Sequence, residues 1–375
     1  MKIRETRLRR AVTVAIYWQK NELVIENYLS GNRVASAPLT VTVLDFFSHW
    51  RKPSEFYRKF ARYERTSLVR SLRQLQERHF LLPEDSAEAR LDERIKQVWS
   101  PWLPAAGMLQ FGTRSIQYES NLALVRRRFL KRAKETPPPP PPVKHYPRSR
   151  QVALPPPRKE GSFTSILLAR RTWRRFSKRA IRLDDLATLL GLTWGVQRWV
   201  NFPGIGRVAL KSSPSAGARH PIEVYVLAIN VKGLPRGIYH YAADNHRLEL
   251  LKRNSSSRDI VNFLGNQWWY APASALMLMT AVFPRTQWKY PDAAAYRTVM
   301  IDAGHVCQTF CLVATWLRLA PFCTMAFDQA LVERELAIDG VKESVVYAAG
   351  VGNPPSGADW APWPHPSHWA GVTTC

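Results

Sequence analysis

A run of six prolines, Pro137–Pro142, with three more at Pro155–Pro157, constrains the folding of this chain more than any other feature. Proline fixes φ and has no amide hydrogen, so such a segment suits neither a helix interior nor a central strand. It favours an extended, solvated polyproline conformation. We therefore predict a linker at residues 136–159 between two separately folded parts. A ligand for SH3-type domains is the alternative interpretation of this run.

The part before the linker, residues 1–135, is predicted to be a winged-helix-like module. Residues 12–37 alternate in polarity and contain turn formers, which predicts a short β meander. Three helices and the start of a wing are expected next, at Thr40–Trp50, Pro53–Tyr63, Thr66–Arg78 and His79–Pro83. Modules of this kind bind DNA in some proteins and leader peptides in others. The arginines of the third helix suit phosphate contacts and a solvated helix face equally well.

The formal charge of +25 is compatible with an anionic partner. Lysine and arginine number 29 against 14 acidic residues in residues 1–150, and 25 against 15 in the remainder. Nucleic acid, an acidic peptide and an anionic cofactor all fit this excess, as does arginine enrichment without a dedicated partner. No RNP-type aromatic motif, zinc finger or basic-region heptad favours nucleic acid.

Several classes of protein are excluded by simple counts. No run of eighteen apolar residues is present, which argues against a membrane span, and the basic start is not followed by a signal-type apolar region. Four cysteines in 375 residues do not make a disulfide framework. Cys307 and Cys311 are four residues apart and are interpreted as buried thiols on one helix. These features predict a cytoplasmic protein.

Two stretches after the linker carry candidate chemistry. Arg170–Phe176 places several arginines and a threonine within a short turn, and guanidinium forks match phosphate oxygens. Ser212–Glu223 is a loop of small residues whose open main-chain amides, beside Arg219 and His220, suit a flat anionic ligand. A tight loop before a core strand is the alternative for the second stretch.

These blocks, together with Gly237–Tyr241, the Asp302–Gln308 segment and Val351–Gly352, resemble the SagB-type dehydrogenases, a peptide-oxidising branch of the flavin-dependent nitroreductase superfamily. The resemblance covers about residues 160–353. It implies an α+β, nitroreductase-like domain at residues 160–355, with a mixed sheet flanked by helices and FMN at a homodimer interface. Residues 356–375 are predicted to form an irregular tail.

The resemblance also implies roles for individual residues. Arg170, Thr172 and Arg174 match positions that hold the phosphate and ribityl chain of FMN. Pro214, Ser215 and Ala216 match the loop beside the isoalloxazine ring. The adjoining Gly217 and Arg219 complete the predicted cofactor-binding set.

Lys289 and Tyr290 look like the Lys-Tyr pair associated with catalysis in azoline-oxidising members. Oxidation of a thiazoline or oxazoline removes a proton from carbon, and a desolvated lysine or a tyrosine relay could take it. A surface lysine beside an interfacial aromatic is the alternative. Asp302, His305 and Gln308 share one helix face and predict a polar edge toward a pocket or a dimer partner. His365 and His368 lack supporting ligands, so no metal site is predicted.

Three functions remain open from the sequence. The first is FMN-dependent oxidation of azoline rings in a peptide, beside a cyclodehydratase partner. The second is reduction of small nitro or quinone compounds with NAD(P)H on the same fold. The third is a non-enzymatic, basic winged-helix protein that binds nucleic acid.

Overall fold

The computed structural model describes residues 6–112, 114, 121–135, 162–202, 206–290, 292–358 and 360. The predicted linker, most of the predicted tail and the two tail histidines lie outside these residues. The chain divides into two compact units. The first unit comprises residues 1–116, 282–300 and 338–344, and the second comprises residues 117–281, 301–337 and 345–375.

Strands and helices are numbered in chain order. The strands are β1 Leu8–Arg10, β2 Val14–Gln19, β3 Glu22–Asn27, β4 Asn32–Ala35, β5 Leu81–Pro83, β6 Ile181–Arg182, β7 Val196–Phe202, β8 Gly206–Lys211, β9 Ile222–Ala228, β10 Val231–Lys232, β11 Gly237–Ala242, β12 Arg247–Arg253, β13 Ala275–Val282, β14 Ala320–Thr324 and β15 Glu343–Gly352. The helices are α1 Pro38–Phe46, α2 Pro53–Lys59, α3 Arg65–Glu77, α4 Ala87–Trp99, α5 Ala105–Gly112, α6 Leu122–Glu135, α7 Ser162–Ala169, α8 Leu183–Thr193, α9 Ser257–Phe263, α10 Phe283–Gln287, α11 Tyr296–Trp316 and α12 Gln329–Glu335. No helix in the described ranges is long and apolar enough to cross a membrane.

The first unit contains the predicted meander and the three predicted helices. Strands β2, β3 and β4 form an antiparallel sheet in that order. Helices α1 and α2 begin with proline, where the missing amide hydrogen has no helical partner to lose. In α3, a leucine stripe with helical spacing turns toward the core that α1, α2 and β3 share. These elements confirm the predicted order of strands and helices.

The segment expected to start a wing pairs elsewhere. Leu81–Pro83 forms β5, which is antiparallel to β1, with Leu82 opposite Arg9. Leu81 and Leu82 are both buried. An apolar strand of this kind needs a partner inside the core, and β1 supplies one where a wing hairpin would leave these leucines in water.

Two later stretches of the chain complete the first unit through aromatic packing. The Trp99 ring lies 4.8 Å from Phe283 and 5.9 Å from Tyr296, measured between ring centroids. Its indole nitrogen donates to the carbonyl of Val341 at 2.8 Å. The Trp102 indole donates to the carbonyl of Tyr290 at 3.2 Å. Trp99 and Trp102 therefore hold the segment that contains the Lys-Tyr pair.

The second unit is built on a six-stranded sheet with the order β12-β11-β9-β13-β15-β14. The strands β9 and β13 are almost continuously apolar and buried, as expected for the centre of a sheet. Residues Leu183–Thr193 form α8, and the predicted polar-edged helix is α11. This mixed architecture of helices and strands confirms the predicted α+β class.

Candidate functional site

The small-residue loop connects β8 to β9 and has an unusual backbone. Residues Ala216–Ala218 form a 3₁₀ turn. Gly217, Ala218 and His220 have φ angles of 59°, 53° and 45°. Left-handed φ is disfavoured for residues that carry a Cβ, so Ala218 and His220 hold strain that surrounding contacts must offset. Such accumulated strain is characteristic of functional loops.

Ser215 is the central hydrogen-bonding residue of this loop. Its hydroxyl donates to Oδ2 of Asp302 at 2.5 Å and accepts the amide hydrogen of His220 at 2.9 Å. Asp302 is only 4% exposed on α11. Burial raises the pKa of Asp302, and hydrogen bonds from the Ser215 hydroxyl and the Ala216 amide oppose that rise. The predicted cofactor-binding hydroxyl therefore faces inward and fixes the loop to the helix.

Further contacts attach the loop to α11 and β8. The Ser213 and Thr309 hydroxyls lie 2.7 Å apart, and a ring nitrogen of His305 lies 3.3 Å from the carbonyl oxygen of Pro214. His220 places Nε2 3.0 Å from the carbonyl oxygen of Ala209. The predicted polar edge of α11 thus meets the loop through Asp302 and His305. Sequence reasoning missed Thr309, which follows Asp302 by two helical turns and could have been found by that spacing.

A small pocket lies beside the loop. It is bounded by Thr193 and Trp194 at the end of α8, by Lys211, and by the Ser213–Ser215 segment with Asp302. The Thr193 hydroxyl and the Trp194 indole nitrogen are buried there without a hydrogen-bond partner among the described residues. Such groups usually bond to an ordered water or to a polar ligand group, and the pocket, with a volume of about 10 Å³, has room for about one water molecule.

Arg219 folds back toward its own loop. Its Nε donates to the carbonyl of Gly217 at 3.0 Å. This bond supports the left-handed turn at Gly217. Part of the guanidinium fork is therefore used to shape the loop.

The predicted phosphate-binding arginines lie on an extended segment after α7. The amide of Trp173 donates to the carbonyl of Pro321 at 2.9 Å, and that of Ser177 donates to Asn353 at 2.9 Å. Arg170 and Thr172 are half-buried, whereas Arg174 is exposed. The segment is therefore fixed through its main chain. Arg171, in contrast, is buried, and its Nε donates to the carbonyl of Ala169 at 3.3 Å.

The packing of Phe176 on Gly352 joins two sequence blocks that lie far apart in the chain. A Cβ built on Gly352 would lie 2.8 Å from Cδ1 of Phe176, so only glycine allows this approach. The Phe176 ring also lies 5.8 Å from that of Phe322 on β14. The end of β15 thus positions the arginine segment, a role that sequence reasoning did not assign to Gly352.

Three cysteines cluster near Arg170. The sulfur atoms of Cys307, Cys311 and Cys323 all lie within 4.8 Å of one another, and none of these residues forms a disulfide. Cys307 and Cys311 are buried on α11, as predicted, and Cys323 joins them from β14. Hydrogen bonds from the thiols of Cys307 and Cys311 lower the pKa of the Cys323 thiol. The positive charge of Arg170 lowers this pKa further.

Lys289 and Tyr290 follow α10 and belong to the first unit, whereas the loop and the arginine segment belong to the second. The Tyr290 amide donates to Thr286 at 2.9 Å, continuing the helical turn. Lys289 is exposed, and its Nζ lies 5.5 Å from the centroid of the Tyr290 ring. The Lys289 side chain is therefore open to solvent.

Residues 167–353 match the family model of the Nitroreductase family. Over 172 residues the chain is 30% identical to the trifolitoxin-processing protein TfxB of Rhizobium leguminosarum bv. trifolii, covering 45% of this chain and 46% of that protein. It is 29% identical to a putative nitroreductase of Methanocaldococcus jannaschii over 43% of this chain and 77% of that protein. A crystal structure of a putative nitroreductase from Anabaena variabilis has 26% identity and a TM-score of 0.44. The match covers 52% of this chain and 38% of that one. The chain thus spans about half the length of the TfxB protein.

Proposed function

We propose that residues 167–353, which match the Nitroreductase family, bind FMN and make this protein a flavin-dependent oxidoreductase. The strained loop fixed by Ser215 and Asp302 is the observation that carries the proposal. The residues present suit this cofactor. Arg170 and Arg174 supply cations without an ion-pair partner among the described residues, and the loop offers main-chain groups.

In this proposal, Arg170, Thr172 and Arg174 hold the phosphate and ribityl chain. The loop from Pro214 to Arg219 presents its main-chain groups to the ring system. Ser215 contributes by fixing the position of this loop through its bonds to Asp302 and His220. FMN, when bound, supplies a two-electron acceptor for hydride. The two residue sets are attached to different elements, β14 with the end of β15 and α11 with β8. A homodimer is the proposed assembly of this site.

We propose a peptide as the substrate and its thiazoline or oxazoline rings as the group oxidised. The similarity to a trifolitoxin-processing protein and the resemblance of the Lys-Tyr pair to azoline-oxidising enzymes support this choice. Aromatisation removes a hydride and a proton from adjacent ring atoms. Lys289 is the proposed base and Tyr290 its relay, and the substrate or a second subunit must desolvate Lys289 for this role. Dioxygen is the proposed final oxidant, and a cyclodehydratase that forms the ring is the proposed partner.

Reduction of small nitro or quinone compounds is the second candidate. The similarity to a putative nitroreductase over 77% of that protein favours it. The two candidates share the cofactor site and differ in the use of Lys289.

The test begins with the protein purified under native conditions. We expect flavin absorbance, release of FMN on denaturation, and loss of binding in the double variant Arg170→Ala/Arg174→Ala. Arg175→Ala is the matched control, since Arg175 is exposed on the same segment but outside the predicted set. Colourless protein that cannot be reconstituted with FMN would refute the proposal. An azoline-containing peptide and a nitroaromatic compound with NADPH, assayed in parallel, then separate the two substrate classes.

A further inference from the structure

Three cysteines of the second unit form a group that the proposed flavin chemistry does not use. Cys307 and Cys311 are four residues apart on α11, so their side chains share one face of the helix. Cys323 comes from β14, where the neighbouring Phe322 ring stacks on Tyr270 with the centroids 3.7 Å apart. Successive side chains of a strand point to opposite faces, so this stacking leaves Cys323 on the other face, with the helix cysteines. The fold thus brings together thiols from two separate elements.

The spacing of the three sulfur atoms suits a single metal ion. They all lie within 4.8 Å of one another, and none of them is in a disulfide. Zinc binds thiolate sulfur at about 2.3 Å, which places the ligands of a tetrahedral shell about 3.8 Å apart. The sulfurs would therefore have to approach by at most about 1 Å, which rotations of about 30° at χ1 can supply. Among the described residues, no histidine or carboxylate joins the group.

Charge distinguishes between the soft ions that thiolates favour, copper(I) and zinc(II). Three thiolates around copper(I) would leave two negative charges, whereas the same thiolates around zinc(II) would leave one. The positive charge of Arg170 acts on both Cys311 and Cys323, and it offsets one negative charge. The zinc site is therefore neutral together with Arg170. A copper(I) site would keep an uncompensated charge among buried residues, which is costly.

The group also has an entry side and an outer-shell contact. Cys307 and Cys311 are only 3% and 5% exposed, whereas Cys323 is half-buried on the last strand of the sheet. An ion can enter at Cys323, and a water molecule can complete the tetrahedron there. The hydroxyl of Tyr347 donates a hydrogen bond to the Cys323 sulfur. Contacts of this kind orient metal ligands in known sites.

We infer that Cys307, Cys311 and Cys323 bind one zinc ion, with a water molecule as the fourth ligand and Arg170 as the balancing charge. The ion would join α11 to β14, the strand to which the amide of Trp173 in the arginine segment is bonded. Its binding free energy would contribute to folding, because the unfolded chain does not hold the three ligands together. The inference does not depend on the proposed flavin chemistry.

The binding test uses zinc alone and the untagged full chain. The reduced protein is stripped with a chelator and titrated with zinc in competition with a chromophoric chelator, without oxygen. We expect about one zinc ion per chain and a Kd on the order of 10–100 nM. Cobalt(II) in place of zinc should give the intense visible bands of a tetrahedral thiolate site, at wavelengths longer than flavin absorption. Absence of zinc binding, or only the weak cobalt bands of an oxygen-bound ion, would overturn the inference.

Substitutions locate the site. Cys323→Ser and Cys311→Ala each remove one ligand and should weaken zinc binding at least about 100-fold, and Cys375→Ser is the control because it removes a thiol outside the group. Arg170→Gln should weaken binding about 10–100-fold, as loss of an outer-shell partner does. Arg175→Gln, an exposed position on the same segment, should change Kd less than about threefold. Circular dichroism checks folding, and the half-buried position of Cys323 makes its serine variant the decisive one if Cys311→Ala unfolds.

The remaining outcomes are decisive as well. Tight binding of copper(I) without binding of zinc would overturn the choice of a divalent ion. Zinc should slow alkylation of Cys323 by iodoacetamide at least about tenfold, because a metal-bound thiolate is a poor nucleophile. A disulfide of Cys323 that forms in air equally fast with and without zinc would also overturn the inference. Failure of the proposed function is recognised separately, because flavin content is measured on the same preparation, and a flavin-free protein that binds zinc as predicted would keep the inference.

Discussion

Replacing Ser215 with alanine tests whether this hydroxyl positions the loop. The change removes a hydrogen bond to the buried carboxylate of Asp302 at 2.5 Å and one from the amide of His220 at 2.9 Å. Bonds to charged groups contribute about 1.5–3 kcal/mol and neutral ones about 1 kcal/mol. We therefore expect Ser215→Ala to lower the free energy of unfolding by about 2–4 kcal/mol. His220 would also lose support for its left-handed backbone.

Urea unfolding followed by circular dichroism measures this loss, and retention of FMN on a desalting column measures the effect on the proposed site. Ser213→Ala is the matched control, because it removes a neutral hydroxyl pair, Ser213 with Thr309, from the same loop and helix. It should lower stability by only about 1 kcal/mol. Flavin retention should fall more in Ser215→Ala than in the control.

A double-mutant cycle decides whether the contact itself is responsible. Ser215→Ala and Asp302→Ala each remove the same bond, so their combined effect should be smaller than the sum by about 1.5–3 kcal/mol. Strict additivity would refute the reasoning. So would a Ser215→Ala variant that unfolds and retains flavin like the wild-type protein.

Three further predictions concern other parts of the chain. Gly352→Ala should lower the free energy of unfolding by about 1–3 kcal/mol and weaken flavin retention, because the added Cβ would collide with Phe176. Gly304→Ala in α11 is the control: its added Cβ has no neighbouring atom, so it should be neutral or stabilising in urea unfolding. Hydrogen bonds to Glu223 and Glu249 raise the pKa of His240 to about 9. The protonated imidazole should therefore add at most about 3 kcal/mol to the free energy of unfolding. This stabilisation should be complete below pH 6.5 and lost as the pH rises through 9. Unfolding at several pH values should show this loss in wild type and not in His240→Gln. Lys289→Met should slow azoline oxidation on the order of 10²–10⁴-fold and leave nitroreduction unchanged, and equal effects on both would contradict the proposed base.

Elements with strong local signals could be predicted from the sequence. The three helices of the first unit begin within two residues of their predicted starts, because proline at the first turn or a leucine stripe marks each one. The sequences of β9 and α8 contain similarly clear signals, since a long apolar run favours a buried strand and a periodic apolar stripe favours a helix. The blocks that carry the family resemblance also predict the loop and the arginine segment from the sequence.

Features that depend on distant partners could not be predicted in this way. The pairing of Leu81–Pro83 with β1 joins residues more than seventy positions apart, and a local pattern contains no information on register. The approach of Phe176 to Gly352 is also a long-range contact. Likewise, the inward direction of the Ser215 hydroxyl depends on Asp302, which lies 87 residues later in the chain.

The separate attachments of the loop and the arginine segment lead to a quantitative expectation about the proposed cofactor site. Ser215→Ala acts through α11, and Gly352→Ala acts through the Phe176 packing near β14, so neither change disturbs the other's contacts. Perturbations of independent contacts add in free energy. The losses of FMN affinity in the two single variants should therefore sum in the double variant to within about 0.5 kcal/mol. A larger deviation would mean that the loop and the arginine segment respond as one unit, and that the cofactor site is more tightly coupled than the contacts of the described residues indicate.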